Sequence, residues 1–385
     1  MLEKALSGDR RYWGWIIVLL AVIATGGYFY LQQLQYGLGI TGLSRDVSWG
    51  FYIAQFTFLV GVAASAVMVV LPYYLHNFKA FGRVTILGEF LAIAAVTMCV
   101  MFIVVDLGQP ARAVNIMLHP SPGSILFWDM IVLNGYLFLN FIISRVSLIA
   151  ERKGEAPPSW IKPVILLSIP WAVSIHTVTA FIYSGLAARP FWLTAILAPR
   201  FLASAFSSGP SLLILLCLIL RRLTRFDAGK EAIQKLALIV TYAMLINIFF
   251  VLMEVFTALY SSIPEHAEHF QYLYVGLEGH TELVRWMWAS AALSLLAVLL
   301  LLNPGLRERP AVLGLACTIV IVAIWIEKGL AMVVAGFVPS PLGKVTAYTP
   351  TAPELLISLA IYGVGALILT LLYKIALSVR GELSA

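Results

Sequence analysis

The sequence has very little charge for its length. Only 11% of its 385 residues are Asp, Glu, Lys or Arg, whereas 61% are hydrophobic and the mean hydropathy is +0.94. A soluble domain of this size needs a far larger charged surface, so the composition excludes that class of protein. Repeated apolar stretches of about 20 or more residues instead predict an all-α polytopic membrane protein.

Cysteine is also scarce. Cys99, Cys217 and Cys317 each lie inside an apolar run, and the chain has no CxxC, CxxCH or Cys/His spacing. This pattern excludes cysteine-ligated iron–sulfur clusters within the chain and covalently attached c-type haem. We expect the three thiols to act as small apolar packing groups.

Histidines are too few inside the apolar runs to hold haem between helices. Only His176 lies deep in a run. The other five fall in loops or at the edges of runs: His76, His119, His266, His269 and His280. Because a membrane cytochrome b holds haem between paired histidines on facing helices, we expect no haem in this chain.

Ten segments are long and apolar enough to cross about 30 Å of hydrocarbon as helices. They cover 12–34, 49–75, 83–105, 124–145, 163–187, 199–220, 235–260, 281–302, 311–337 and 353–376. Proline-containing segments separate them, as expected for connections between helices. The sequence therefore predicts about ten transmembrane helices.

These spans suggest an internal organisation. The N-terminal run continues past any small-residue cleavage site, so we interpret it as a retained first helix and not as a signal peptide. We expect one integral membrane domain over 1–385. It would comprise a first helix (1–40), a first four-helix bundle (49–187), a second four-helix bundle (199–337) and a last helix (353–377).

The basic residues predict the orientation. The N-terminal segment, the even-numbered loops and the C-terminal tail together hold 18 Lys and Arg, against five in the odd-numbered loops. By the positive-inside rule, both termini are predicted to be cytoplasmic and the odd loops to lie outside. The basic residues are spread over short loops, which does not resemble a nucleic-acid-binding patch. A multi-pass protein of the inner (cytoplasmic) membrane is the expected localisation.

Polar side chains inside the spans are the candidate functional residues, because hydrocarbon offers them no partners. Most are predicted to lie in the outer half of the membrane: Gln55, Asp106, Asp129, Tyr183 and Glu254. His176 and the neighbours Glu327 and Lys328 lie deeper, and Glu89 lies in the inner half. His176, Thr179 and Tyr183 share one helix face at spacings of three and four. A cavity lined by phenol, imidazole and carboxyl groups suits proton-coupled chemistry on a quinone ring.

Structural roles are open alternatives for these residues. Asp106 and Arg112 are six residues apart and could form a salt bridge or a helix cap at the membrane edge. Asp129 could cap the start of its span, and His176 could make an interhelical hydrogen bond. Glu89 could extend its carboxylate to the cytoplasmic water. Glu327 and Lys328 point to different sides as sequence neighbours, so each needs a partner of its own.

Four stretches resemble a known family. They are VSWGFYIAQFTFLVGVAAS (47–65), DLGQPAR (106–112), HPSPGSILFWDM (119–130) and HTVTAFIYSGLAARPFWLTAILAPRFLASAFSSGP (176–210). The chain is similar over essentially its whole length to the polysulfide reductase membrane subunit (NrfD-like) family. Within that family it looks most similar to the ten-helix DsrP and HmcC type of sulfur-metabolising membrane complexes.

The resemblance implies a cofactor and partners. Members of the family bind menaquinone or ubiquinone near the outer face and hold no haem or iron–sulfur cluster themselves. They dock an extracytoplasmic four-cluster iron–sulfur protein, and the DsrP type works beside a cytochrome b subunit and a multihaem cytochrome c. Asp106 and Asp129 match the family's polar positions near the quinone, and Gln55 stands in the helix where other members place polar pocket residues.

The sequence thus predicts a quinone-reactive subunit that is not catalytic alone. We expect it to exchange electrons between the menaquinone pool and the iron–sulfur partner in dissimilatory sulfur metabolism, with proton translocation as a further hypothesis. The expected quinone-binding residues are Gln55, Asp106, Asp129, His176 and Tyr183. The expected proton-transfer residues are Asp106, Asp129, Glu254, Glu89 and Arg112, with the 106–129 segment as a lid. The alternatives are a secondary transporter or ion-translocating protein, which ten spans also suit, and a structural anchor for partner proteins.

Overall fold

The computed structural model describes residue 3 and residues 7–383. Ten of its helices are long and apolar enough to span a membrane. Labelled α1 to α10, they are Arg10–Tyr36, Phe51–Leu75, Gly82–Asp106, Ile125–Lys153, Ile161–Ser184, Leu197–Leu223, Lys230–Tyr260, Val284–Leu302, Pro310–Ala335 and Ala352–Arg380. The described part of the chain contains no β-strand, so the predicted all-helical fold with ten spans is confirmed.

The helix ends follow local sequence signals. Asp9 caps α1, because its carboxylate accepts a hydrogen bond from the Tyr12 amide at 2.9 Å. Thr351 and Glu354 form a capping box at the start of α10. Gly154 and Gly381 end α4 and α10 in the left-handed conformation that glycine adopts without strain. Polar and flexible residues therefore set where these spans begin and end.

The helices pack in a repeated pattern. Helices α2, α3, α4 and α5 contact one another in sequence, and α5 returns to contact α2. Helices α6, α7, α8 and α9 repeat this arrangement, with α9 returning to α6. We call these groups the first and second bundle. Helix α10 packs on α3 of the first bundle, and α1 packs on α10.

The two bundles meet where α2 crosses α6. Helix α2 is interrupted between Ala63 and Val67, and its backbone there lies close to α6. A Cβ on Gly209 of α6 would come within 2.9 Å of the Ser65 amide nitrogen. Only a residue without a side chain permits this approach, because backbone atoms cannot move aside. The crossing therefore fixes how the two bundles sit against each other.

Helix α9 contains an irregular segment. Residues Trp325–Ala331 form a π-helix, which carries Glu327 and Lys328 and packs against α2. Such segments insert extra residues into an α-helix and occur frequently at functional sites. The irregular turn therefore lies between the two bundles, with two charged residues on it.

Several span boundaries differ from the predicted ones, most of all the end of α4, which lies at Lys153 and not at 145. Helix α7 begins at Lys230, five residues earlier than predicted, and α8 begins at Val284, three residues later. A short surface helix, Pro264–Tyr274, lies between them. All odd-numbered connections lie at the end of the molecule where α1 finishes, which we call the outer end. That this end faces away from the cytoplasm stays a prediction.

Candidate functional site

A buried polar cluster joins α2, α4 and α5 near the outer end. Asp129, in the second turn of α4, is 3% exposed and accepts a hydrogen bond from the Thr179 hydroxyl at 2.7 Å. One turn further along α5, the Tyr183 hydroxyl bonds to the Thr57 hydroxyl of α2. Thr57 itself donates to the Ile53 carbonyl at 2.7 Å, so Tyr183 is the donor in its pair. Two of the predicted quinone residues, Asp129 and Tyr183, therefore lie on neighbouring turns of one interface.

His176 lies on the same face of α5 but deeper. It is fully buried, and neither ring nitrogen has a hydrogen-bond partner. The predicted interhelical hydrogen bond is therefore not formed within the described part of the chain. A buried imidazole without partners is unfavourable unless a ligand or water satisfies it.

Gln55 is buried on a different side of α2. Its carbonyl oxygen accepts hydrogen bonds from the Trp325 indole and the Tyr362 hydroxyl, each at 2.8 Å. Its amide nitrogen is buried and has no partner among the residues that the structure describes. The structure therefore ties Gln55 to α9 and α10, and not to the α5 face that carries Tyr183.

Asp106 ends α3 beside α1. Its Oδ1 atom is buried and has no hydrogen-bond partner in the described ranges, residue 3 and residues 7–383. The neighbouring Val105 carbonyl accepts from Gln33 at 2.6 Å, and Tyr52 donates to the Gln33 carbonyl oxygen at 2.8 Å. Arg112 is exposed, and the described residues include no ion pair between it and Asp106. The structure therefore does not bring Arg112 into the site.

Glu89 lies far from this outer cluster. It is 1% exposed in α3, and both carboxyl oxygens are buried without partners in the part of the chain that the structure describes. Its predicted alternative role, with the carboxylate reaching the cytoplasmic water, is wrong for this conformation because the side chain is enclosed. A carboxyl group in such a position is most stable when protonated or hydrated.

The second bundle contains a buried charge network. Arg200 of α6 is 7% exposed and forms ion pairs with Glu254 of α7 and Glu327 of α9. Asn247 donates to the second oxygen of Glu327 at 3.2 Å. Three helices are thus connected by a single guanidinium group, whose planar donors suit two carboxylates at once.

Lys328 points away from this network. It is 2% exposed, and its ammonium lies 4.2 Å from the centre of the Phe201 ring and 3.4 Å from the Phe201 carbonyl oxygen. A Cβ on Gly61 of α2 would lie 3.3 Å from the same ammonium. Glu327 and Lys328 therefore point to different sides, as predicted. Glu327 pairs with residues of the second bundle, and Lys328 lies at the crossing of the bundles.

Aromatic rings cover the cluster at the outer end. Trp192 is fully buried, donates to the Met332 carbonyl at 2.9 Å and contacts Tyr183, Trp49 and Phe337 through its rings. These bulky rings exclude water from the α5 face. The cover is thus formed by the segments before α2, before α6 and after α9.

The outer loops hold this cover in place. The Arg189 guanidinium lies 4.3 Å from the centre of the Phe337 ring, and burial lowers the pKa of that arginine. Tyr348 accepts from the Phe51 amide at 2.6 Å and donates to Glu354 at 2.8 Å, while burial raises its pKa. The 336–351 segment is therefore attached to the starts of both α2 and α10. The 107–124 segment is largely exposed, and its role as a lid stays a prediction.

Arg200, Trp192 and Thr57 are site residues that the sequence did not single out. Arg200 was counted with the loop residues because it directly follows Pro199 at a predicted span edge. Its position four residues into α6, on the turn facing Glu254 and Glu327, gave no separate signal. Two unpaired acids in nearby spans were the only indication that a cation had to be present.

The fold and these sites define an integral membrane protein with ten spans, in which Asp129, Tyr183 and the Arg200 network are buried towards one end. The chain belongs to the NrfD polysulphide reductase family, whose model matches residues 39–339. It is 27% identical to a provisionally named membrane subunit of dimethyl sulfoxide reductase from Halobacterium salinarum, over 93% of this chain and 89% of that protein.

Two further relatives are named for quinone chemistry. The Hdr-like menaquinol oxidoreductase integral membrane subunit of Archaeoglobus fulgidus is 27% identical over 65% of this chain and 62% of its own length. The menaquinone reductase integral membrane subunit of Nitratidesulfovibrio vulgaris is 22% identical over 94% of this chain and 91% of its own length. Each of these is a membrane subunit by name.

Proposed function

We propose that this protein is the quinone-reactive membrane subunit of an oxidoreductase complex. The observation that carries the proposal is the buried cluster of Asp129, Thr179, Tyr183 and Thr57 at the outer end. Two relatives named for menaquinol or menaquinone chemistry support it. Menaquinone is the favoured species, and ubiquinone is the alternative with the same ring chemistry.

Several unsatisfied polar atoms are of the chemical kinds that a quinone headgroup needs. Among the described residues, both ring nitrogens of His176, the Gln55 amide and Asp106 Oδ1 are buried without partners. A quinone presents two carbonyl oxygens that need donors and, once reduced, two hydroxyl groups that need acceptors. Imidazole and amide groups supply donors, and a carboxylate supplies an acceptor. When bound, the quinone supplies the two-electron redox chemistry that no side chain here provides.

The residues of the α5 face then have distinct roles. Asp129 exchanges protons with the outer water, and the Thr179 hydroxyl holds its carboxyl group in position. The Tyr183 hydroxyl donates to Thr57, which fixes its direction, and its oxygen accepts a hydrogen bond from a hydroxyl group of the reduced ring. His176 is the deeper hydrogen-bonding group, and the aromatic cover excludes bulk water from the site.

Proton translocation is the further part of the proposal. Glu89 in the first bundle and Glu254 in the second are buried acids that could accept protons, and His176 lies between their depths. Arg200 and Lys328 extend the set of buried ionisable groups across the bundle crossing. Rows of such groups are typical of proton relays in membrane proteins. Asp106 would exchange protons at the outer edge. Of the proposed proton-transfer residues, Arg112 has the least structural support because it is exposed.

The proposed partners follow the family resemblance. We propose an extracytoplasmic four-cluster iron–sulfur protein at the outer end, together with multihaem cytochrome c and cytochrome b subunits of the DsrP type. The proposed setting is dissimilatory sulfur metabolism in the inner (cytoplasmic) membrane. That the chain itself holds no haem or cluster stays a prediction.

Asp129→Asn tests the proposed role of the carboxyl group. In the assembled complex, we expect this variant to lose quinol-linked electron transfer while the subunits still co-purify, because the amide cannot exchange the proton. Asp46→Asn is the matched control, since Asp46 lies in an outer loop and pairs with Lys344 at 2.6 Å. Normal turnover in Asp129→Asn would refute the role.

Binding of a quinone analogue separates the main hypothesis from the alternatives. A quinone-reactive subunit should bind the analogue and lose affinity in Tyr183→Phe, whereas a transporter or a structural anchor should not bind it. Charge movement in liposomes during quinol oxidation tests the translocation part. If the pH change is no larger than the quinol chemistry itself produces, the protein does not translocate protons. The proposed quinone-reactive function would be unaffected by that result.

A further inference from the structure

A cavity lies between α6 and α9 at the end of the molecule opposite the quinone cluster. Its volume is about 460 Å³. The walls are apolar and come from the last turns of α6 and the first turns of α9: Leu215, Leu218, Ile219, Ala311, Gly314 and Thr318. Arg221, Arg222 and Pro310 lie at its mouth. The volume is in the range of small-molecule sites, and the position is the predicted inner edge of the membrane.

Two guanidinium groups at the mouth are largely uncompensated. Arg221 is 56% exposed, and its nearest carboxylate oxygen, on Asp227, is 3.9 Å away. Arg222 has no ion pair or hydrogen bond within the described part of the chain. The other carboxylate nearby, Glu308, is paired with Lys230 at 2.7 Å. The mouth therefore keeps a net positive charge.

The apolar walls stay open because α9 has a glycine there. A Cβ on Gly314 would lie 3.6 Å from Leu218 and 3.8 Å from Leu215, at ordinary contact distance. A longer side chain would occupy the cavity itself. The combination of a basic mouth with an apolar interior at the membrane edge matches a molecule with an anionic head and a hydrocarbon chain.

We propose that this cavity binds an anionic phospholipid. The phosphate lies between Arg221 and Arg222, whose planar donors suit phosphate oxygens, and one acyl chain lies along Leu215, Leu218 and Gly314. Basic pockets between membrane helices on the cytoplasmic side bind anionic headgroups in this way. Free phosphate would use the two arginines alone, without the apolar walls. The site is independent of the quinone cluster.

Native mass spectrometry of the purified full-length protein tests the site, with phosphatidylglycerol, phosphatidylcholine and inorganic phosphate as probes. We expect phosphatidylglycerol to bind about 30-fold more tightly than phosphatidylcholine, from the usual contribution of two basic residues at a membrane surface. R221Q/R222Q should abolish this preference. R152Q/K153Q is the matched control, because it removes two exposed charges at the same end of the molecule.

Gly314→Leu separates the lipid from free phosphate. This variant should lose phosphatidylglycerol binding while both arginines remain, and unchanged binding would overturn the proposal. Inorganic phosphate that competes fully with the lipid, or equal losses in R221Q/R222Q and R152Q/K153Q, would also overturn it. Thermal unfolding of each variant checks that the fold is retained, and the exposed arginine variants should unfold like the wild type.

Discussion

The buried arginine of the second bundle gives the sharpest stability prediction. Arg200→Met removes the cation that pairs with Glu254 and Glu327. Removing one partner of a buried ion pair destabilises a protein by about 3–5 kcal/mol, since the remaining charge is left uncompensated. The carboxylates can escape by protonation, and protonating one ordinary glutamate at pH 7 costs about 3.7 kcal/mol. The cost of leaving one buried charge unpaired and the cost of protonating one glutamate are therefore of the same magnitude.

Unfolding in detergent at a series of pH values measures this effect. We expect Arg200→Met to lower the free energy of unfolding by about 3–5 kcal/mol at pH 7 and by less near pH 5, where protonation is easier. The triple variant R200M/E254Q/E327Q should recover most of the loss, because no charge then stays unpaired. Lys230→Met is the control: its pair with Glu308 is exposed, so the change should stay below about 1 kcal/mol. Equal effects in Arg200→Met and the control would refute the reasoning.

Two further predictions concern the bundle crossing and an outer helix. Gly209→Ala should destabilise the protein by about 1–3 kcal/mol because its Cβ meets the Ser65 backbone. Gly27→Ala is the control: it has open space inside a helix and should be neutral or stabilise by up to about 1 kcal/mol, and equal melting temperatures of the two variants would contradict the prediction. Burial lowers the pKa of His269 below the usual 6.5, so the folded form resists protonation and stability falls as pH drops through 6.5. The backbone hydrogen-exchange rate of the 264–274 segment, corrected for its intrinsic pH dependence, should therefore rise as the pH falls below 6.5. The same rate should not change with pH in His269→Gln.

The number and class of the helices could be predicted from composition because the membrane demands it. A segment that crosses hydrocarbon must be both apolar and about 20 residues long, and each condition is visible in the sequence. The spacing of His176, Thr179 and Tyr183 likewise placed them on one face of α5, which the structure buries. Periodicity within a single helix is local information, so the sequence carries it directly.

Contacts between helices were not predictable in the same way. Gln55 and Thr57 are two residues apart, which is about 200° around an α-helix, so they face opposite sides. Depth along the spans predicts Gln55 beside Tyr183, but Thr57 is the residue that contacts Tyr183. Arg200 meets partners 54 and 127 positions away in the chain. Depth along a span can be read from sequence, whereas rotation about the span axis requires the packed neighbours.

The π-helix of α9 has a consequence for any change in chain length. The segment Trp325–Ala331 accommodates an extra residue, so deleting one residue there would allow a regular α-helix to form while the side chains beyond it keep their directions. The Met332 carbonyl would then stay on the Trp192 indole, and only the directions of Glu327 and Lys328 would change. A deletion in a regular part of α9 would instead turn every side chain beyond it by about 100° about the helix axis. A change in length is therefore tolerated better inside this segment than elsewhere in α9.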